Sequence, residues 1–285
     1  MAMTEERTLV LGGGGITGIA WQAGVLAGLL ENGVNVDKAD RVIGTSAGAF
    51  VGAILVNGYD MKDYYYELDE RRDNNDRATL SSDIYRLWQN AFVVGRDDAQ
   101  KVGQMLGDIV YTRPSHIDLE ERKQAVRQRL GDVEWKDILD ITAINARTGD
   151  VGVFNSRSDV TLEDAITASG AVPGIWPHIR LNHSDWIDGG MVSPTNAMLA
   201  KGAKSIIILA PLADGLGMIP SVYDDAKQLS EQSHVLVIQP DSASEAEIGN
   251  NIYNPENIIK VGNAGYRQGL SLAQRMHEEY NEWVD

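Results

Sequence analysis

RVIGTSAGAF, residues 41–50, holds Ser46 between Gly44 and Gly48 in the spacing G-x-S-x-G, directly after the apolar pair Val42-Ile43. That arrangement reads as a short buried strand turning sharply into a helix, with the serine carried on the bend. A serine hydroxyl is a poor nucleophile until a neighbouring base takes its proton. The stretch therefore raises a question of partner as well as of fold. The spacing alone arises by chance in roughly one chain of six with this glycine and serine content. Its place at a strand-to-helix junction is what gives it weight, and a simple tight turn is the competing reading.

The segments on either side repeat the same rhythm. Thr8 to Leu11 reads as a buried strand ended by Gly12 to Gly15, and apolar residues at helical spacing follow from Gly18 to Leu30, with Gly33 as the stop. Arg41 to Ile43 is the second strand and Ala47 to Val56 the second helix. Strand, glycine loop, helix, strand, glycine turn, helix is the pattern of an α/β fold with a mainly parallel sheet and crossover helices. Residues 59–136 differ: KDYYYELDERRDNNDR and HIDLEERKQAVRQRLG are rich in charge and helix formers, which predicts a helical insertion. DNNDR within it is not a calcium loop, because Arg77 stands where an oxygen ligand belongs and no glycine follows. It reads as a solvated turn.

Strand signals return at residues 140–145, and RTGD turns that strand into Val151 to Phe154 as a hairpin. Thr161 caps a helix opened by Glu163 and Asp164. His178 to Leu181 and Trp186-Ile187 predict a second hairpin around NHSD, Ser205 to Leu209 and His234 to Ile238 two further strands, and Pro255 to Trp283 one long closing helix. No repeat or low-complexity linker divides the chain, so residues 1–285 are expected to form a single domain containing the insertion.

Composition narrows the function. The chain has 285 residues, no cysteine and a formal net charge of −16. Disulfides, thiolate catalysis and cysteine-bound metals are thereby excluded. The acidic balance argues against nucleic acid as a partner and against electrostatic docking on anionic lipid, although a lipid can still enter through an apolar patch. No window approaches 18 uninterrupted apolar residues, and the N-terminus lacks a basic start followed by an apolar core. Cytoplasmic residence is the resulting expectation.

LGGGGITG, residues 11–18, contains G-x-G-x-x-G as Gly13, Gly15 and Gly18. A dinucleotide-binding oxidoreductase would use this loop, but it also needs an acid after the second strand, where Gly44-Thr45-Ser46 stands instead. A hydrolase would use the bared backbone N–H groups to hold a developing oxyanion, with the Ala47 N–H as a further donor. The base is harder to find. None of the five histidines, His116, His178, His183, His234 and His277, sits in a loop after a late strand, where a triad needs it. WIDGG offers Asp188 instead, between an apolar strand end and a glycine turn, where burial would make a carboxylate a stronger base. A turn aspartate bonded to its own loop is the alternative.

Three ordered blocks resemble the patatin-like phospholipases, lipid acyl hydrolases with a serine–aspartate dyad. LVLGGGGITGIAWQAGVLAGL is similar to the family's glycine-rich oxyanion loop and following helix, VIGTSAGAFVGA to its nucleophile elbow, and ITASGAVPGIWPHIRLNHSDWIDGGMVSPTNAM to its aspartate–glycine–glycine segment. The resemblance implies a three-layer α/β/α fold and hydrolysis of an acyl ester. It also implies Ser46 as nucleophile, Asp188 as base, and the backbone N–H groups of Gly13, Gly14 and Gly15 as the oxyanion site, to which the Ala47 N–H adds, with no metal, no cofactor and no histidine. Its substrate would be a lipid or another acyl ester. Transient contact with a membrane or micelle and the oligomeric state stay open. One departure is Thr17, where the family often carries Arg or Lys. Trp21, Val172, Ile175 and Trp176 are candidates for an acyl cleft, with plain core packing as the alternative. A non-catalytic lipid-binding protein of the same fold and a histidine-dependent serine hydrolase remain as rivals.

Overall fold

Leu9 and Leu11 of β1 (Arg7–Leu11) pack to one side of a sheet and Val10 to the other, and all three are fully buried. Strands apolar on both faces belong in the middle of a covered parallel sheet. β1 has that position in the computed structural model, which describes residues 6–71, 78–215 and 217–284. It pairs in parallel with β2 (Arg41–Thr45) on one edge and β7 (Ser205–Leu209) on the other. β3 (Leu139–Asn145) continues the parallel set beyond β2, and β8 (His234–Ile238) beyond β7. Three antiparallel strands finish the sheet among the described residues: β4 (Val151–Phe154) and β6 (Ser184–Asp188) on β3, and β5 (Ile179–Leu181) on β6. The Asn182-His183 turn between β5 and β6 has φ of 48° and 65°, the left-handed pair that a two-residue hairpin needs.

Helices cover both faces, giving three layers. α1 (Gly15–Glu31), α2 (Ala47–Val56) and α10 (Ile258–Glu279) share a core with Leu9, Leu11, Val42 and Leu139. Against the opposite face, Val10, Ile43, Ile206 and Ile208 pack with α8 (Val222–Leu229) and the short turn Ala197–Ala200. Among the described residues, the stretch from 59 to 136 is helical. It comprises α3 (Met61–Glu70), α4 (Ser82–Gly95), α5 (Ala99–Thr112) and α6 (Leu119–Leu130). α3 and α6 send Tyr64, Tyr65, Leu68, Val126 and Leu130 into the core beneath α1 and α2. α4 and α5 pack with Val172, Trp176 and Ile187. DNNDR lies outside the described residues.

Three elements differ from expectation. The closing helix is not continuous to Trp283: it opens with a tight turn at Pro255–Asn257, ends at Glu279 and leaves a second turn, Asn281–Trp283. The break lets Trp283 bury completely and donate its indole N–H to Ser205 Oγ at 2.8 Å. The segments around α8 and around α9 (Ser242–Ile248) are helical where no helix was expected.

α1 and α10 approach until their backbones touch. A Cβ on Gly24 would lie 2.1 Å from Gly262 O, and one on Gly269 would lie 2.3 Å from Val25 O. Glycine costs roughly 0.5–1 kcal/mol in a helix interior relative to alanine, and here the close packing of two helices offsets it. We expect Gly24→Ala to destabilise the protein by about 2–3 kcal/mol. The measurement is the urea midpoint, lowered at unchanged slope; a midpoint equal to wild type would mean that the helices stand further apart.

Candidate active site

Ser46 lies between β2 and α2, as the N-cap of α2, with φ 51° and ψ −112°, a left-handed conformation that costs a non-glycine residue on the order of 1–3 kcal/mol. Its neighbours explain how the bend survives. Gly48 faces β1 so closely that a Cβ would sit 2.0 Å from Leu11 O, and a Cβ on Gly44 would sit 2.7 Å from Ala49 Cα. Both glycines of the G-x-S-x-G stretch are steric necessities of packing a helix directly on strand ends. The Ser46 N–H donates to Ser169 Oγ at 2.7 Å, which braces the strained residue from α7 (Leu162–Ser169).

Strand register brings the second group. β4 pairs along Ile141 to Ile144 of β3, so it occupies the edge of β3 opposite β2. β6 pairs with Ala143 to Asn145 and must therefore take the β2 edge, which β2 leaves after Thr45↔Thr142. Asp188 opposes Ala143, one residue beyond the point where β2 turns away at Ser46. The Ser46 side chain lies beside the Asp188 carboxylate and pulls its pKa down. The Gly190 N–H donates to Asp188 Oδ1 at 2.6 Å, and the Asp188 N–H donates to Ala171 O at 3.0 Å. Asp188 is 3% exposed, and its burial raises the carboxyl pKa from 3.8 to about 6 against the opposing pull of Ser46, Gly190 and Arg122.

Asn196, which sequence reasoning missed, ties the ends of these strands together. Its amide donates to the hydroxyls of Thr45 and Thr142, each at 3.1 Å, and to Gly189 O at 3.0 Å. It holds φ 53°, a left-handed conformation that asparagine tolerates better than most residues. Its only sequence signal is an asparagine after Ser-Pro-Thr, which resembles any turn.

The glycine loop lies against the serine: a Cβ on Gly13 would come 3.5 Å from Ser46 Cβ. The expectation that Gly13 offers its N–H to a ligand needs correction, because that N–H donates to Pro194 O at 2.8 Å. Among the described residues, the N–H groups of Gly14, Gly15 and Ala47 make no hydrogen bond. Gly15 begins α1 and Ala47 begins α2, so two helix N-termini, each the positive end of its dipole, meet at Ser46.

An open cavity of about 30 Å³ lies over this point, lined by Gly15, Ser46, Ala47, Val172, Trp176 and Tyr253 among others. Val172 and Trp176 thus lie where an acyl cleft was expected. Trp21 and Ile175 do not: Trp21 is buried with its indole N–H on Gln268 Oε1 at 2.9 Å, and Ile175 packs against α4 and α5. No histidine lines the cavity. Thr17 turns away from it, donating both its N–H and its hydroxyl to Ile252 O at 3.1 Å. Sequence reasoning also missed the two arginines that reach the cavity from α6, Arg122 and Arg129. Tyr253 feels the charges of both Asp188 and Arg122, and burial pushes its phenol pKa up. Among the described residues no group of His, Asp and Glu is arranged to hold a metal, and no helix is long and apolar enough to cross a membrane.

A buried carboxylate beside a serine trades stability for basicity. Because the folded pKa of Asp188 lies above its ordinary value, folding is penalised increasingly as pH rises from 3.8 to about 6 and by a constant amount above. The full penalty is roughly 3 kcal/mol. Asp188→Asn, which keeps an acceptor for the Gly190 N–H, is expected to be more stable than wild type at pH 7–8 by about 1–3 kcal/mol. That gain should shrink towards pH 4. Denaturant midpoints across this range measure it; a gain that grows on acidification would mean that the fold favours the carboxylate.

The description of the patatin-like phospholipase family matches residues 9–201, more than half the chain. Lysophospholipase NTE1 from Yarrowia lipolytica is 25% identical over 224 residues, 76% of this chain, and its counterpart from Candida albicans is 28% identical over 209 residues, 71% of this chain. The matched segment is 13% of each of these relatives, so this chain spans only a small part of their length. Among solved structures, VipD from Legionella pneumophila superposes with a TM-score of 0.48 at 13% identity, covering 95% of this chain and 67% of that one. By the match over residues 9–201, which includes the serine elbow, the glycine loop and Asp188, the chain belongs to the patatin-like phospholipase family.

Proposed function

We propose that the protein is a serine acyl-ester hydrolase that releases fatty acid from lipid esters. The observation that carries this reading is the placement of Ser46 beside a buried carboxylate of raised pKa, at the meeting point of two helix N-termini. Asp188 accepts the Ser46 proton as Oγ attacks the ester carbonyl. The N–H groups of Gly14, Gly15 and Ala47 hold the oxyanion that forms. As the tetrahedral intermediate collapses, the alcohol leaves with the proton from Asp188, and the acyl group stays on Ser46. Water then attacks the acyl-enzyme, giving one proton to Asp188, and collapse returns that proton to Ser46 Oγ as the fatty acid departs. These steps call on no metal and no cofactor. The lysophospholipase relatives support a lysophospholipid as the ester.

The test compares fatty-acid release from lysophosphatidylcholine and from p-nitrophenyl esters by wild type, Ser46→Ala and Asp188→Asn. Ser46→Ala should lose activity by at least about 10³-fold, and Asp188→Asn by about 10²–10⁴-fold. Since the base works only when ionised, wild-type kcat/KM should climb about tenfold per pH unit below about 6 and level off above it. Folded Ser46→Ala hydrolysing as fast as wild type would remove the reading. A wild type that binds lipid and turns over nothing would make the protein a non-catalytic lipid binder of the same fold.

A further inference from the structure

The cavity over Ser46 contains positive charge that ester hydrolysis leaves unused. Arg122 and Arg129 stand seven residues apart on α6, two helical turns, and so lie on the same side of that helix. They are 7% and 6% exposed, and both line the cavity. Arg122 stacks on Trp176, its guanidinium carbon 4.2 Å from the ring centre. Its Nε is wholly buried without a hydrogen-bond partner. Among the described residues, no carboxylate forms an ion pair with it and no acceptor takes a hydrogen bond from its guanidinium. Asp188 and Tyr253 are close enough to act on it only through their charge.

A buried guanidinium with unspent donors is expensive in a folded chain unless a bound anion completes it. Its planar fork suits two oxygens of a phosphate or carboxylate better than any other partner. Gly170 lies beside it: a Cβ there would sit 3.6 Å from Arg122 Nη2, in ordinary contact. The charge is local, because the chain as a whole carries −16, and a general attraction of the surface for anions does not account for it. α1 brings no cation of its own to the cavity, its Thr17 being spent on Ile252 O.

We propose that Arg122, seconded by Arg129, binds the phosphate of a lysophospholipid whose acyl carbonyl lies at Ser46, and so selects phosphate-bearing esters over neutral ones. The assignment rests on the hydrolase reading of Ser46. It makes Arg122 a specificity residue that touches substrate and takes no part in the proton transfers.

The test separates binding from turnover. In a Ser46→Ala background, decyl phosphate, 1-decanol and inorganic phosphate are titrated by calorimetry. Decyl phosphate should bind more tightly than either of the others, and adding Arg122→Met should weaken it by about 10–100-fold. Arg122→Lys, which keeps the charge without the fork and serves should the methionine variant fail to fold, should lie between. In the Ser46-containing enzyme, the preference for lysophosphatidylcholine over monoacylglycerol should fall by a similar factor, through KM. Equal affinity for decyl phosphate with and without Arg122 overturns the proposal. Equal losses towards charged and neutral esters do so too, because Arg122 would then act only through Asp188. Inorganic phosphate binding as tightly as decyl phosphate would replace the lipid with a free-phosphate site. If wild type hydrolyses no ester while decyl phosphate still binds through Arg122, it is the hydrolase reading that fails.

Discussion

One edge of β3 hydrogen-bonds two strands end to end, and the site depends on that sharing. β2 uses Leu139 to Thr142 and turns away at Ser46; β6 arrives from the opposite direction and uses Ala143 to Asn145. A parallel strand thus delivers its C-terminal residue, and an antiparallel strand delivers its own C-terminal residue, to the same gap in the sheet. Because strand register is fixed by burial, a slip of one residue would turn Asp188 to the other face. The Asn196 amide reinforces the junction by bonding the two threonines that end the β2–β3 pairing and the carbonyl that follows Asp188. The serine and the aspartate, far apart in sequence, meet because backbone ladders leave them no other place.

The junction concentrates costs that the surrounding structure has to support. Ser46 is held at positive φ, and Asp188 is buried with a pKa near 6. Each is braced by backbone or hydroxyl contacts from the segment between α7 and the following turn: Ser169 takes the Ser46 N–H and Ala171 takes the Asp188 N–H. The same short stretch therefore sets both partners. Further support comes from α1 and α10, whose glycine-to-backbone contacts fix the height of the α1 N-terminus above the sheet. Ile252, just ahead of α10, accepts from Thr17 at the start of α1 and ties the glycine loop to the same framework.

Much of this was legible in the chain, for physical reasons that differ between elements. The parallel strands announce themselves because burial on both faces leaves them uniformly apolar, as in residues 206–209. The elbow is legible because Gly44 and Gly48 each stand where a Cβ would strike backbone. α8 and α9 are weak signals because they are short and half-polar, and α8 lies between two strong strands; Ser221 with Asp224 forms a capping box at its start. Gly13 was expected to serve a ligand, but which N–H of a glycine run stays free depends on Pro194, distant in sequence. Trp21 shows the same limit from the side of packing. An aromatic residue beside the glycine loop in sequence faces α10 in space, since helical periodicity gives a residue's neighbours on its own helix and not the partner across from it.

The arginines of α6 were hidden for a further reason. HIDLEERKQAVRQRLG reads as a solvated charged helix, and its charges outnumber its apolar residues. Yet Arg122 and Arg129 are among its buried residues, with Val126 between them. A long arginine can bury its stem against apolar neighbours while its head stays polar, so hydropathy takes a cavity wall for a surface. The division of labour follows from what each part can vary. The β2–β3–β6 junction admits few substitutions, because its geometry is set by backbone contacts. α6 is fixed through Val126 and Leu130 in the core, and its other positions can change without moving the junction. A residue that reads a ligand is therefore better carried on α6 than on the strands; in the proposed hydrolysis this would leave the chemistry to the sheet and the choice of ester to the helix beside it.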